Sequence, residues 1–184
     1  ATVLLIEAGG SDDDPAILNP SVWFTNVGTE RAWDFHTIAQ PSTNNRSVAL
    51  PMGRAIGGGS SINAMAYVRG HKLDFDRWAE ITGDVNWNYE SALETFKRIE
   101  RFDGPENPDY RGADGLLTMQ KDSDIQPVAM ALRTAGPRAG LAAFDDINGA
   151  AMESPSFIGH PDIKVRNGQR ANIPTDYLHQ IGRA

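Results

Sequence analysis

A run of glycine, serine and asparagine in the first half of the chain limits the possible folds more than any other sequence feature. It covers residues 51–63 and reads Pro-Met-Gly-Arg-Ala-Ile-Gly-Gly-Gly-Ser-Ser-Ile-Asn. Gly57 to Gly59 lack the Cβ atoms that would keep a ligand off the backbone, and they adopt positive φ at little steric cost. Their N–H groups, followed by the hydroxyls of Ser60 and Ser61, would suit an anion or a carbonyl. The same composition is typical of a turn between two elements, so both interpretations stay open.

Two common nucleotide-binding motifs do not fit this run. A P-loop has the pattern G-x-x-x-x-G-K-[ST], and Gly53, Gly58 and Ser60 match its spacing. Gly59 takes the place of the phosphate-binding lysine, which excludes a kinase or an ATPase built on this motif. The dinucleotide fingerprint G-x-G-x-x-G also fails, because Ile62 takes the place of its third glycine.

The first ten residues have the pattern of a strand buried in a parallel sheet. The apolar run Val3–Ile6 precedes Glu7, and Gly9 and Gly10 follow. In a dinucleotide-binding fold, an acid at the end of the second strand accepts hydrogen bonds from ribose hydroxyls, although Glu7 alone also fits a solvated strand end. Because the first strand and its glycine-rich turn do not precede this segment, we expect the chain to be truncated at its N-terminus.

Together these segments resemble the glucose–methanol–choline (GMC) flavin oxidoreductases. The family patterns G-R-x-x-G-G-[GS]-S-S-x-N and R-G-x-x-x-D-[FY]-[DE]-x-W are similar to residues 53–63 and 69–78. Residues 110–116 are similar to its Y-H-G-x-x-G-P, with Arg111 and Leu116 as departures, and residues 167–178 to its x-G-x-R-x-x-A-x-x-A-Y-L. The resemblance extends along nearly the whole chain, and it is nearest to bacterial alcohol dehydrogenases, choline dehydrogenases and pyridoxine 4-oxidases.

The resemblance implies a fold of mixed α/β and α+β class. Residues 1–115 would be part of a Rossmann-like FAD-binding domain that lacks its first strand and G-x-G-x-x-G turn. Residues 116–184 would begin a substrate-binding domain, after a loop at 102–115 that is rich in Pro, Gly and Asp.

The resemblance also implies which residues bind FAD. Glu7 would hold the ribose, Gly53 and Arg54 would lie near the dinucleotide, and residues 58–64 would line the isoalloxazine ring. The predicted cofactor-binding residues are Glu7, Gly53, Arg54, Gly57, Gly58, Gly59, Ser60, Ser61, Asn63 and Ala64. Family members with covalently bound flavin have a histidine just before the asparagine, and this chain has Ile62 there, so we expect noncovalent FAD.

The implied activity is oxidation of a small alcohol by hydride transfer to flavin N5. The histidine that takes the alcohol proton belongs to a C-terminal motif of the family, so no catalytic residue is predicted in this chain. The expected partners are the alcohol substrate and the remaining segments of the same enzyme. Two alternatives stay open: an FAD-containing hydroxynitrile lyase on the same scaffold, and a non-catalytic remnant. Alone, the 184 residues are expected to be inactive.

Composition argues against several other functions. Seventeen basic and 24 acidic residues give a net charge of −7, which disfavours nucleic acid as a partner, and no apolar run is long enough for a transmembrane segment. The absence of cysteine excludes disulfides and Cys-ligated zinc, and the four histidines lack metal-ligand spacing, so no metal is predicted. Either redox compartment is compatible, and a cytoplasmic location is the favoured expectation.

Apolar spacing and capping residues predict three helices and two strands. The predicted helices are 74–82, with Asp74 as N-cap and Gly83 as the stop, 88–101, capped by Asn88, and 124–134. The predicted strands are 116–120, at a sheet edge, and 163–166.

Overall fold

The computed structural model describes residues 2–180. It divides the chain into two compact units: a first unit of Ala1–Met65 with Val165–Ala184, and a second unit of Ala66–Lys164. The α-helices are α1 (Pro15–Leu18), α2 (Lys72–Thr82), α3 (Tyr89–Ile99) and α4 (Pro127–Ala135). The strands are β1 (Ala32–His36), β2 (Ala49–Gly53), β3 (Ala66–Tyr67), β4 (Glu100–Asp103), β5 (Leu117–Lys121), β6 (Ala142–Ala143), β7 (Phe157–Ile158), β8 (Asp162–Ile163), β9 (Val165–Arg166) and β10 (Gln169–Arg170). The prediction of a mixed helix and sheet fold is confirmed.

The ends of α2 and α3 follow from local chemistry. Asn88 caps α3 as predicted, because its Oδ1 accepts a hydrogen bond from the N–H of Ser91 at 2.9 Å. Gly83, with φ of 69°, ends α2 as predicted. The predicted N-cap of α2 is wrong: His71 caps it, and Asp74 lies inside the first turn, where the helix dipole favours a carboxylate.

A four-stranded sheet organises the second unit. Its strand order is β3-β8-β5-β4, with β4 and β5 parallel and the other pairs antiparallel. The prediction of an edge strand at 116–120 is wrong, because β5 lies between two strands and its Met119 is fully buried. A cluster of buried side chains forms a core in this unit: Tyr89, Ile147, Ala151 and Met152.

Two antiparallel strand pairs shape the first unit. β1 pairs with β2 over the register Ala32↔Gly53 to His36↔Ala49. β9 pairs with β10 through a turn in which Asn167 and Gly168 both have positive φ. The single strand predicted at 163–166 is therefore two strands, β8 and β9, which belong to different units.

The run Val3–Ile6, predicted as a strand of a buried parallel sheet whose neighbours do not precede it, forms no strand in the described chain. Val3, Leu4, Leu5 and Ile6 are 61–85% exposed, and they pair with no strand among residues 2–180. A parallel strand is buried only where neighbouring strands and helices cover it, and the described residues supply no such cover.

The compact units do not follow the predicted boundary near residue 115. β4 and β5 lie on either side of that point and pair with each other in the second unit. The assignment of FAD binding to residues 1–115 and of substrate binding to residues 116–184 stays a prediction. None of the helices described between residues 2 and 180 has the length and apolar character needed to cross a membrane.

Candidate functional site

The glycines of residues 51–63 fall into two groups by what surrounds them. A Cβ on Gly53 would lie 2.2 Å from the carbonyl of Gly58, and a Cβ on Gly57 would lie 2.5 Å from Cδ of Pro174. A Cβ on Gly58 or Gly59 would meet no atom within 4 Å. Packing inside the first unit therefore requires the earlier glycines, whereas the later two leave space that a ligand is able to fill.

Backbone donors without an internal acceptor lie in the same segment as these glycines. After Gly57, with φ of 90°, the chain forms a single 3-10 helical turn at Gly58–Ser61. Internal carbonyls accept the N–H groups of Gly58, Ser60 and Asn63. Within residues 2–180, the N–H groups of Gly59 and Ala64 have no such partner. The run thus keeps unused donors beside a surface without side chains, which is what an anion or carbonyl ligand needs.

The side chains of Ser60 and Ser61 hold the run in place. Ser60 Oγ donates to the carbonyl of Gly57 at 2.7 Å, and Ser61 Oγ, fully buried, donates to the carbonyl of Ile56 at 2.7 Å. Asn172 in turn donates to Ser61 Oγ at 3.1 Å. Both hydroxyl protons are used internally, so a ligand would meet these side chains as hydrogen-bond acceptors and not as donors.

Asn63 has a similar supporting contact. Its Oδ1 accepts the N–H of Met65 at 2.9 Å, which stabilises Met65 at a φ of 60°, an unusual value for a residue with a side chain. The predicted cofactor contacts of Ser60, Ser61 and Asn63 stay predictions.

The structure brings the Glu7 segment next to the glycine run. The N–H of Ile56 donates to the carbonyl of Gly10 at 2.9 Å, and a Cβ on Gly9 would lie 2.1 Å from the carbonyl oxygen of Arg54. Glu7 is exposed, and its Oε1 accepts the N–H of Gly9 at 2.7 Å. An exposed carboxylate thus lies in the segment that contacts the start of the glycine run.

Sequence reasoning missed an aromatic surface beside Arg54. The Arg54 guanidinium lies 4.6 Å from the ring centre of Trp33, which stacks on Phe35 at 5.7 Å and 11°. The two rings are neighbours because residues i and i+2 of β1 share a face. That alternation, Trp-Asp-Phe, was the available signal.

Sequence reasoning also gave Arg170 no role of its own. Arg170 Nε donates to the carbonyl of Ile17 at 2.8 Å, and Nη1 donates to Asn63 Oδ1 at 2.8 Å and to the carbonyl of Ser60 at 3.3 Å. Only 2% of the residue is exposed. Burial lowers its pKa to about 10, so the guanidinium remains charged at neutral pH.

Charged side chains are also buried in the second unit, but there they are paired. Glu100 accepts hydrogen bonds from Arg69 and Arg111, each at 2.7 Å, and Arg111 also pairs with Asp162 at 2.7 Å and with Asp146 at 2.8 Å. Arg111 departs from the family pattern, and here it joins β4, β8 and the loop before β5. This set is a structural network.

Other sequence candidates have structural contacts. His71 has two structural contacts: its Nε2 lies 3.0 Å from the carbonyl of Ser154, and its Nδ1 caps α2. In the part of the chain that the structure describes, no three His, Cys, Asp or Glu residues come close enough together to hold a metal ion.

Comparison with known proteins identifies relatives along the whole described chain. The profile of the GMC oxidoreductase family matches residues 24–183. Oxygen-dependent choline dehydrogenases from Rhizobium etli and Vibrio vulnificus are 42% and 39% identical over 178 and 180 residues, which is 96% of this chain and 32% and 31% of theirs.

Solved structures show the same relationship. The crystal structure of pyridoxine 4-oxidase from Mesorbium loti superposes with a TM-score of 0.79 at 34% identity, over 94% of this chain and 33% of that one. A formate oxidase from Aspergillus oryzae, 22% identical, shares the fold with a TM-score of 0.80 over 95% of this chain and 32% of its own. The chain thus spans about a third of the length of the relatives it matches.

Proposed function

Given that this chain belongs to the GMC oxidoreductase family, we propose that it forms part of an FAD-dependent enzyme that oxidises the CH–OH group of a small alcohol. One observation carries this proposal. At Gly58 and Gly59 the backbone borders space free of side chains, and the N–H of Gly59 has no internal partner among the described residues. A flat, polar ring system fits such a surface, because it needs donors without added bulk.

The residues of the first unit divide the task of holding FAD. The N–H groups of Gly59 and Ala64 would donate to the isoalloxazine ring, and Glu7 would accept hydrogen bonds from the ribose hydroxyls. Gly53 and Gly57 bring the backbone segments close enough to form this surface. When bound, FAD supplies the hydride acceptor.

Ser60, Ser61, Asn63 and Arg54 support that surface. The serine and asparagine side chains fix the backbone on which the donors stand. The Arg54 guanidinium, 4.6 Å from the ring centre of Trp33, would add positive charge near the dinucleotide. The proton-accepting histidine expected from the family resemblance is assigned to no residue of this chain.

FAD is held without a covalent bond in this proposal. Ile62 stands where covalently flavinylated members have a histidine, and its hydrocarbon side chain, 7% exposed, has no atom able to form such a bond. The substrate class follows from the relatives: the names of the choline dehydrogenases and of pyridoxine 4-oxidase make choline and pyridoxine the first alcohols to test.

The experiment uses the complete protein that contains this chain. Acid denaturation and filtration are expected to release a yellow chromophore that chromatography identifies as FAD. In the absence of oxygen, choline or pyridoxine is expected to bleach the flavin absorbance. Tetramethylammonium is the matched control, since it keeps the cation of choline but lacks the CH–OH group. Flavin that stays with the precipitated protein would contradict noncovalent binding. A flavin that no alcohol reduces, in a protein that cleaves cyanohydrins, would favour the lyase alternative.

A further inference from the structure

We propose that Arg170 is a positioning residue of the FAD site, which fixes the Asn63 end of the glycine run and supplies positive charge that favours the reduced cofactor. The inference rests on the proposed function, since it assumes that residues 58–64 line the isoalloxazine ring. It assigns a role to a buried cation that the structure otherwise leaves uncompensated.

The first observation is the environment of the guanidinium. All three acceptors of its hydrogen bonds are neutral: the carbonyls of Ile17 and Ser60 and the amide oxygen of Asn63. Its Nη2 is buried without a partner, and no carboxylate of the described residues forms an ion pair with Arg170. Burial of an unpaired charge is costly, so a cation that is kept in such a place needs an anion from elsewhere.

Another buried charge in the same unit does not meet this need. Asp12 is 1% exposed, but its carboxylate accepts a hydrogen bond from Asn172 at 3.2 Å and lies 3.5 Å from Nε2 of His179. Asp176 is another fully buried carboxylate of this unit, and the acceptors of the Arg170 hydrogen bonds do not include it. The positive charge of Arg170 is therefore available to a bound group.

The second observation connects Arg170 to the proposed ligand surface. Asn63 Oδ1 accepts from Arg170 at 2.8 Å and from the N–H of Met65 at 2.9 Å. Met65 is 5% exposed and has φ of 60°, a conformation that persists only where its surroundings enforce it. Ala64 lies between these two residues, so Arg170 acts through Asn63 on the direction of the Ala64 N–H.

The charge of Arg170 affects the two oxidation states of the cofactor unequally. The isoalloxazine ring gains negative charge when it accepts two electrons, and a fixed cation nearby stabilises that state more than the oxidised one. Arg170 is one hydrogen bond away from Asn63, within the segment proposed to line the ring. Reduced cofactor is therefore bound more tightly, relative to oxidised cofactor, than it would be without this charge.

The test measures the two-electron midpoint potential of FAD bound to the complete protein, against a reference dye, together with the dissociation constant of oxidised FAD. In Arg170→Met, the ratio of the affinity for reduced FAD to the affinity for oxidised FAD is expected to fall about tenfold. The midpoint potential of the bound FAD then becomes about 30 mV more negative. Arg170→Lys keeps the charge and is expected to retain most of the potential.

A second variant keeps the inference testable if Arg170→Met fails to fold. Asn63→Asp retains an oxygen for Met65 and for the guanidinium, but its carboxylate neutralises Arg170, so a similar fall in potential is expected. Arg31→Met is the control, because Arg31 is a cation of the same unit that already pairs with Asp14 at 2.7 Å, and its loss is expected to leave the potential unchanged.

The outcomes separate the inference from the proposed function. An unchanged potential in both Arg170→Met and Asn63→Asp overturns the inference. This holds if the variants lose only stability. It also holds if they lose affinity for oxidised and reduced FAD equally, which is the result expected if Arg170 acts on the diphosphate. A wild-type protein that binds no FAD overturns the proposed function as well.

Discussion

The two units of this protein bury arginine side chains in opposite ways. In the second unit, Arg69 and Arg111 meet Glu100 and Asp162 at hydrogen-bond distance, so their charges are balanced within the fold. In the first unit, Arg170 is buried against neutral oxygens only. A buried arginine is therefore neutralised by carboxylates in the second unit, whereas in the first unit Arg170 keeps a positive charge that no described carboxylate neutralises.

The position of each arginine explains its environment. Arg111 joins strands and loops of a packed sheet, and its partners are carboxylates of the same unit. Arg170 contacts Ser60 and Asn63, which belong to the run of residues with open space on one side. Buried charge without a partner thus coincides with the surface proposed to receive FAD.

The largest expected effect comes from breaking the charge balance in the second unit. Glu100→Gln leaves Arg69 and Arg111 buried with insufficient negative charge, so the free energy of unfolding is expected to fall by about 3–5 kcal/mol. Urea denaturation measures the change, with Asp103→Asn, an exposed acid of the same strand, as the control. A loss as small as that of the control would show that the network is not what stabilises this unit.

Valine substitutions at Gly58 and Gly140 compare the surface proposed to bind FAD with an ordinary turn. Gly58→Val and Gly140→Val both place a side chain at positive φ in open space, at 53° in the first unit and 82° in the second. Each is expected to cost about 1–3 kcal/mol in backbone strain. Only Gly58→Val is expected to weaken FAD binding as well, because its side chain fills the space proposed for the ring. Fluorescence titration with FAD provides the measurement, and equal affinities in the two variants would favour a plain turn at residues 57–61.

A buried tyrosine of the second unit, Tyr89, makes the stability of the protein depend on pH. Burial, followed by the charge of Glu153, raises the pKa of Tyr89 from 10.0 to about 12. Above pH 10 the unfolded chain loses this proton while the folded chain keeps it, so stability falls as pH rises from 10 to about 12. Tyr89→Phe is expected to remove about 2 kcal/mol of that alkaline loss. Unfolding of both proteins at pH 9 and pH 12 tests this, and parallel losses would refute it.

The smallest effect is expected at a partly buried ion pair of the first unit, between Asp14 and Arg31. A hydrogen bond from the N–H of Ala16, aided by Arg31, lowers the pKa of Asp14 below 3.8. Its charge therefore stabilises the fold above that value, and this contribution is lost as pH falls through the lowered pKa. Asp14→Asn keeps the capping oxygen and is expected to cost less than about 1 kcal/mol at pH 7. The exposed Asp13→Asn is the control, and a difference between wild type and Asp14→Asn that persists at pH 2 would be inconsistent with this explanation.

Local features of the fold could be predicted because neighbouring residues determine them. Asn88 caps α3 and Gly83 ends α2, since capping depends on a side chain and on φ within one turn. His71 took the capping place expected of Asp74 for the same local reason, as a ring nitrogen also accepts a backbone N–H. The helix start was thus missed by three residues, while the helix itself was found.

The strands could be predicted less well, because a strand depends on its neighbours. Residues 117–121 form a strand near the predicted place, but pairing on both sides makes it interior. The run Val3–Ile6 has the composition of a buried strand, yet it stays exposed where no other strand of the described chain pairs with it. Composition gives the tendency to form a strand, and distant segments decide its burial.

The sequence by itself determined that the chain belongs with the GMC oxidoreductases and that a surface without Cβ atoms lies near Gly58, because both are properties of consecutive residues. Only the tertiary structure decided that the hydroxyls of Ser60 and Ser61 face inward. It alone also decided that Arg170 is buried without an acid. Arg170 contacts Ile17 and Asn63 across 153 and 107 positions of the chain. A charge is paired or unpaired according to what folding brings beside it, and no local pattern contains that information.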